Sequence, residues 1–196
     1  MKYGLLTFLW VVLMGGAFWK YEGSYLIPRQ KTAGALAPTP THEKIDGIDL
    51  SAYDGKILLI NFWNPDCGCS EFAEPHVKHL EEKFSNQGVS FVTVIVTDHD
   101  GAESGLQKAK DHHLPGKLVL DADGKICKDF DILAAPAAVV YDRSGKAVYR
   151  GSYNIARFCN NEDSAFVEQT LDAMISGKGK IKESLPFYGC HTIVSK

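Results

Sequence analysis

The sequence has few cysteines, no excess of positive charge and no internal repeat. Five cysteines in 196 residues are too few for a small domain held together by disulfides. Their odd number requires at least one thiol that is free, bound to a metal or paired with another molecule. Lysine and arginine total 21 against 24 acidic residues. Because nucleic-acid binding usually needs a basic surface, this balance argues against that function.

Charge is also missing near the start of the chain, between Lys2 and Lys20. The seventeen residues from Tyr3 to Trp19 are uncharged, and as a helix they would extend about 25 Å, slightly less than a ~30 Å hydrocarbon core. Residues 1–20 are therefore predicted to be a membrane anchor, with a cleaved signal sequence as the alternative. Either would place the remainder of the chain outside the cytoplasm.

The remaining chain is predicted to consist of a linker, one folded domain and a tail. Residues 21–44 form a polar, proline-containing linker, 45–176 the domain and 177–196 the C-terminal tail. Buried apolar runs and helical periodicity alternate within the domain. Strands are predicted at 56–63, 89–97, 117–120, 137–141 and 147–151, and helices at 67–85, 103–113, 124–130 and 164–176. This order predicts an α/β fold with a mixed sheet and helices on both faces.

The candidate chemistry lies where the first strand meets the first helix, in Cys67-Gly68-Cys69-Ser70. A cysteine at a helix N-terminus faces unpaired backbone N–H groups and the positive end of the helix dipole. Both favour the thiolate, so Cys67 is the candidate nucleophile. A structural disulfide between Cys67 and Cys69 is the alternative for such a pair in isolation.

Several segments resemble the thioredoxin-like superfamily, in particular its membrane-tethered thiol–disulfide oxidoreductases. The stretch Leu59-Ile60-Asn61-Phe62-Trp63-Asn64-Pro65-Asp66-Cys67, followed by Pro75, is similar to the strand, redox motif and helix start of that family. Pro136 resembles its cis-proline, and the hairpin after Pro136 resembles its last strand pair. The resemblance covers about 45–176. It implies a thioredoxin-like fold, with Cys67 as nucleophile and Pro136 shaping the groove for a partner's backbone.

The departures from the family's CxxC motif concern the second thiol. Ser70 occupies the resolving position, and Cys69 comes one residue early. Residues two apart on a helix point in nearly opposite directions, so a regular first turn would keep the sulfurs of Cys67 and Cys69 apart. Cys69, or else the more distant Cys127, is expected to resolve the mixed disulfide on Cys67. Cys159 and Cys190 flank the last helix outside the redox motif, and a structural bridge between them is the favoured pairing.

Two other functions are alternatives. Cys67 and Cys69 with a histidine would suit Cu(I), as in exported thioredoxin-fold metallochaperones, and His191 is the first candidate for the third ligand. His76 and His79 are further candidates. A peroxiredoxin-like thiol peroxidase would instead need a Ser or Thr and an Arg near Cys67. Ser70 lies on the wrong side of Cys67 for this role, and neither Arg143 nor Arg150 has an obvious place beside Cys67.

The preferred interpretation is a thiol–disulfide oxidoreductase anchored in a bacterial inner membrane, with its soluble domain in the periplasm. Its predicted partners are exported proteins that bear thiols or disulfides, and no cofactor is expected. Cys67, Cys69 and Pro136 are the predicted site residues.

Overall fold

The computed structural model describes residues 2–22, 44–98, 100–182 and 184–192. The chain divides into two units, Met1–Thr32 and Ala33–Lys196. The first contains helix α1 (Lys2–Glu22). Within the described ranges, no helix is long and apolar enough to cross a membrane. The predicted linker at 21–44 lies mostly outside the described residues.

The second unit is a mixed α/β structure. In chain order its elements are β1 (Lys44–Ile45), β2 (Ile48–Asp49), β3 (Ile57–Trp63), α2 (Gly68–Phe84), β4 (Val89–Val96), α3 (Ala102–Asp111), β5 (Lys117–Asp121), α4 (Lys125–Asp129), β6 (Ala134–Ala135), β7 (Ala137–Tyr141), β8 (Ala147–Gly151), α5 (Phe166–Ser176) and β9 (Cys190–His191). The predicted elements are therefore confirmed, with small differences at their ends. The pairs β1–β2 and β6–β9 were not predicted from the sequence.

Five strands form the central sheet in the order β5-β4-β3-β7-β8. Strand β3 lies in the middle and pairs in parallel with β4, and β4 pairs in parallel with β5. Strands β7 and β8 continue the sheet in antiparallel orientation. Every residue of β3 is buried, as expected for a continuous apolar run covered on both faces. The carboxyl end of β3 leads directly into the candidate site.

Helices α2 and α5 pack on one face of this sheet. Their contacts form a core cluster that includes Leu80 and Phe84 of α2, Leu171 of α5 and Leu59 of β3. Against the other face, Phe130 beside α4 makes an edge-to-face contact with Phe62, with ring centroids 5.6 Å apart. Alternate side chains of β3 thus point to opposite faces of the sheet and pack against the helices on each face.

A small polar cluster joins α2 to α5. Glu168 accepts a hydrogen bond from the Lys83 ammonium at 2.8 Å and lies 3.5 Å from the His79 ring. His76 lies on the same side of α2, and its Nε2 is buried without a hydrogen-bond partner among the described residues. Burial lowers the pKa of His76, an effect that Glu168 opposes and His79 reinforces.

This burial predicts an acid-sensitive contribution to stability. The unfolded chain protonates His76 near its ordinary pKa of 6.5, whereas the folded chain resists protonation. The free energy of unfolding should therefore fall as the pH drops below 6.5, by up to about 1 kcal/mol per pH unit from this group. Chemical denaturation from pH 7.5 to 5 should show a shallower fall for His76→Gln than for wild type. The exposed His79→Gln is the matched control, and equal slopes for wild type and His76→Gln would contradict the assignment.

Candidate active site

The loop between β3 and α2 is held by hydrogen bonds within the loop and to the first turn of α2. The Asn64 backbone N–H donates to Ser70 Oγ at 3.1 Å, and the Asn64 side-chain oxygen accepts from the Asp66 N–H at 2.8 Å. Ser70 is buried, with 1% of its surface exposed. In the position where the family's motif has its second cysteine, this chain therefore has a hydroxyl that stabilises the loop.

Cys67 is the residue immediately before α2. Its backbone is extended (φ −109°, ψ 111°), and its carbonyl oxygen accepts hydrogen bonds from the N–H groups of Ser70 and Glu71 at 2.9 and 3.2 Å. As the N-cap of α2, Cys67 lies at the helix end that stabilises negative charge. Cys67 is only 3% exposed.

The Cys67 sulfur is bonded to Cys190, in a part of the chain 123 residues away. The two Cα atoms are 6.0 Å apart, within the usual range for a disulfide. The predicted bridge between Cys159 and Cys190 is therefore wrong, and Cys159 is a free thiol. The prediction failed because the tail passes α5 and returns to the start of α2, where Cys190 meets Cys67.

Pro136 follows a cis peptide bond, as predicted. The carbonyl oxygen of Ala135, the residue before it, lies 3.6 Å from the Cys67 sulfur. The short strand β6 that leads into Pro136 pairs antiparallel with β9, with Ala135 opposite Cys190 and Ala134 opposite His191. Backbone pairing and the disulfide thus place the tail directly beside Pro136.

Further hydrogen bonds hold the tail on both sides of Cys190. The Thr192 N–H donates to the Leu133 carbonyl at 3.1 Å, and its hydroxyl donates to the Ile132 carbonyl at 2.6 Å. On the other side, the Tyr188 N–H donates to Ser152 Oγ at 2.7 Å. Phe187 is buried, with 4% of its surface exposed. Residues 184–192, called the tail strap below, are therefore part of the folded domain.

A cleft of about 160 Å³ opens beside the strap. It is lined by Pro136 and by residues from the start of α2, from the loop after β8 and from the strap. These are Cys69, Pro136, Ser152, Tyr153, Asn154, Ile155, Ala156, Arg157, Cys159, Tyr188 and Gly189. Two free thiols, Cys69 and Cys159, therefore line a cavity that borders the groove at Pro136.

The thiols that were expected to resolve Cys67 are not bonded to it. Cys69 is free and half-buried, and Cys127 is free and buried. Burial raises the pKa of Cys127 well above its usual range, with a further contribution from Asp121. Burial also raises the pKa of Cys159 to about 11. Because the thiolate is the reactive form, Cys127 and Cys159 are poor nucleophiles near neutral pH.

Below the site, Asn61 lies on β3 in a buried hydrogen-bond network. Its side-chain NH₂ donates to Thr93 Oγ1 at 3.3 Å, and its oxygen accepts from the Tyr153 hydroxyl at 2.9 Å. Thr93 in turn donates to the Pro115 carbonyl at 2.8 Å. The network joins β3 to β4 and to the segments before β5 and after β8 without an ionised carboxylate, so it serves as a fixed support for β3.

The residues proposed for a Cu(I) site do not form a metal-binding cluster. In the described part of the chain, no group of three or more His, Cys, Asp or Glu side chains could hold a metal ion. Cys67 is engaged with Cys190, and His191 lies in the paired strand β9. His76 and His79 belong instead to the cluster around Glu168.

The residues proposed for a peroxidase have other contacts as well. Arg150 donates to the Phe130 carbonyl at 3.4 Å and lies 3.3 Å from the Asp131 carboxylate. Arg143 is exposed in the turn between β7 and β8. Ser70 is occupied by the Asn64 N–H. The geometry therefore favours the disulfide as the chemical centre of the molecule.

Comparison with known proteins supports the thioredoxin-like fold. The chain is 27% identical over 154 residues to the thiol-disulfide oxidoreductase ResA of Bacillus cereus, an alignment that covers 76% of this chain and 88% of that protein. A crystal structure of a hypothetical protein from Sinorhizobium meliloti matches with a TM-score of 0.66 at 19% identity, covering 83% of this chain and 97% of the other. The solution structure of a thioredoxin-like protein in its oxidised form matches with a TM-score of 0.51 at 19% identity, covering 63% and 80%.

These matches confirm the resemblance to thioredoxin-like thiol–disulfide oxidoreductases and the thioredoxin-like mixed sheet. A family model described as a domain of unknown function, DUF6436, matches residues 40–191. The match includes both Cys67 and Cys190, and it extends over most of the chain. The chain therefore belongs to the DUF6436 family.

Proposed function

We propose that this protein is a thiol–disulfide oxidoreductase whose redox pair is Cys67 and Cys190. The observation that carries the proposal is the disulfide between the residue at the start of α2 and the tail strap, beside Pro136. The relationship to a protein named as a thiol-disulfide oxidoreductase supports it. The raised pKa values of Cys127 and Cys159 also support it, since they disfavour those thiols as participants.

In the reduced protein, Cys67 is the attacking thiol. Its position before α2 favours the thiolate, which attacks one sulfur of a partner's disulfide. A bond forms between Cys67 and that sulfur, while the partner's other sulfur leaves as a thiolate and takes up a proton. The product is a mixed disulfide between Cys67 and the partner.

Cys190 then resolves the mixed disulfide. Its thiolate attacks the Cys67 sulfur, the Cys67–Cys190 bond forms, and the partner's remaining sulfur leaves as a thiolate. The partner has gained two electrons and the protein has lost two. A dithiol reductant of the same compartment would restore the starting state by the reverse exchange. With an oxidant supplied instead, the same steps run backwards and oxidise a partner dithiol.

The proposed partners are exported proteins with thiols or disulfides, and the proposed location is the outer side of a bacterial inner membrane. The location rests on the sequence, in which residues 3–19 are uncharged. An oxidising compartment also suits a disulfide that persists between turnovers.

Substitution of single cysteines tests the redox pair. Cys67→Ser should lose exchange with a disulfide-bonded peptide, since no thiolate is left at the start of α2. Cys190→Ser should complete only the first step and accumulate a mixed disulfide on Cys67. Cys69→Ser should keep the wild-type rate within about twofold, as expected for a change that costs about 0.5 kcal/mol or less. Non-reducing gels after acid trapping, with mass spectrometry of the trapped species, provide the measurement.

Comparison of Cys69→Ser with Cys190→Ser shows which of the two cysteines resolves the mixed disulfide. Accumulation of the mixed disulfide in Cys69→Ser, together with normal turnover in Cys190→Ser, would make Cys69 the resolving thiol and refute the proposed pair. An unreactive Cys67 in the wild-type protein would refute the oxidoreductase function itself.

Fractionation of a bacterial cell that expresses the full chain tests the location. The protein should stay in the membrane fraction after alkaline carbonate washing and keep its first residues, because the apolar segment 3–19 is proposed as an anchor. Recovery in the soluble periplasmic fraction with a shortened N-terminus would support the signal-sequence alternative. An intact chain in the cytosol would contradict export.

A further inference from the structure

The tail strap lies against the edge of β6 as an added strand. Its contacts there include the pairing of β9 with Ala134 and Ala135 and the hydrogen bond from Thr192 to the Leu133 carbonyl. These contacts use main-chain atoms, which any extended polypeptide could supply. The edge of β6 is therefore able to accept a segment of another protein in place of the strap.

At Gly189, directly before the bonded cysteine, the contact between the strap and β6 has room only for glycine. Its φ of +144° is a conformation that other residues rarely adopt, and a Cβ atom there would overlap with the carbonyl oxygen of Ala135 and lie 3.1 Å from Pro136 Cδ. Tyr188, one residue earlier, is 50% exposed. The groove thus requires glycine at one position and leaves its neighbour largely unconstrained.

On the basis of the proposed function, we infer that the groove formed by the edge of β6 and by Pro136 binds partner proteins through an extended segment with glycine immediately before its reactive cysteine. The tail strap is the internal copy of such a segment. Because the strap and a partner need the same edge of β6 and the same Cys67 sulfur, they compete for the groove.

Competition with the strap makes partner binding depend on the redox state. In the oxidised protein, the bond to Cys190 keeps the strap in the groove at a very high effective concentration. In the reduced protein only non-covalent contacts hold the strap, so a partner segment can displace it. After the partner's cysteine has bonded to Cys67, return of the strap brings Cys190 to the mixed disulfide and expels the partner.

A peptide reaction tests the requirement for glycine. The probe is the synthetic peptide Pro-Phe-Tyr-Gly-Cys-His-Thr, the sequence of residues 186–192, with its cysteine activated as a 2-thiopyridyl disulfide. The protein is the reduced full chain with Cys190→Ala, which cannot resolve the product. The Cys67 thiolate attacks the peptide sulfur, and release of 2-thiopyridone reports the rate. Each rate is divided by that of the same peptide with glutathione, and mass spectrometry confirms attachment at Cys67.

The peptide with valine in place of glycine should couple at least about tenfold more slowly, because its Cβ atom would overlap with the Ala135 carbonyl oxygen. A tenfold change corresponds to about 1.4 kcal/mol. The peptide with phenylalanine in place of tyrosine is the matched control, because it keeps the aromatic ring beside the cleft, and should stay within about twofold of the parent. Equal rates for the glycine and valine peptides at Cys67 would overturn the inference and leave the oxidoreductase function intact. Failure of every peptide to couple at Cys67 would refute both.

The same glycine can be tested within the chain. Gly189→Val should displace the strap from β6 and make the Cys67–Cys190 bond easier to reduce, by about tenfold in its equilibrium constant with glutathione. Gly179→Val is the matched control, because Gly179 also has a positive φ (+97°), but a Cβ atom there would lie 3.6 Å from the Ala173 Cβ and far from the groove contacts. Circular dichroism verifies that both variants fold. An equilibrium constant for Gly189→Val equal to that of Gly179→Val would overturn the inference.

Discussion

The bond between Cys67 and Cys190 connects the two parts of the molecule on which its chemistry depends. It joins the start of α2, where negative charge on sulfur is stabilised, to a strand that completes the edge of β6. The tail strap owes its position to this bond and to the pairing beside it. In the proposed function, reduction of this bond would therefore both free the Cys67 thiol and open the edge of β6 to a partner.

Much of the fold could be predicted because its determinants are local. The apolar run of β3 and the periodicity of α2 each lie in one continuous stretch, and Pro136 is followed directly by the apolar residues of β7. The position of Cys67 before a helix is likewise a local property. Local patterns of this kind specify secondary structure and, through alternation of strands and helices, the arrangement of the sheet.

The partner of Cys67 could not be predicted in the same way. Cys190 is 123 residues away, in a strand of two residues whose pairing is set by the tertiary structure. The spacing of cysteines in a sequence does not determine how they pair. The close approach of Gly189 to the carbonyl of Ala135, which fits the tail beside Pro136, is visible only in the structure. The predicted bridge between Cys159 and Cys190 was wrong because it rested on the position of both cysteines beside α5. The tail instead returns to the start of α2.

The most direct test of the central claim is a redox titration of the intact wild-type protein, with every cysteine followed separately. The protein is equilibrated in glutathione buffers of graded composition and quenched with acid, and its thiols are labelled with heavy and light alkylating reagents for mass spectrometry. The account predicts that Cys67 and Cys190 become protected together, with one midpoint, while Cys69, Cys127 and Cys159 stay accessible to labelling after denaturation throughout. Protection of Cys67 together with Cys69, while Cys190 remains a free thiol, would contradict it.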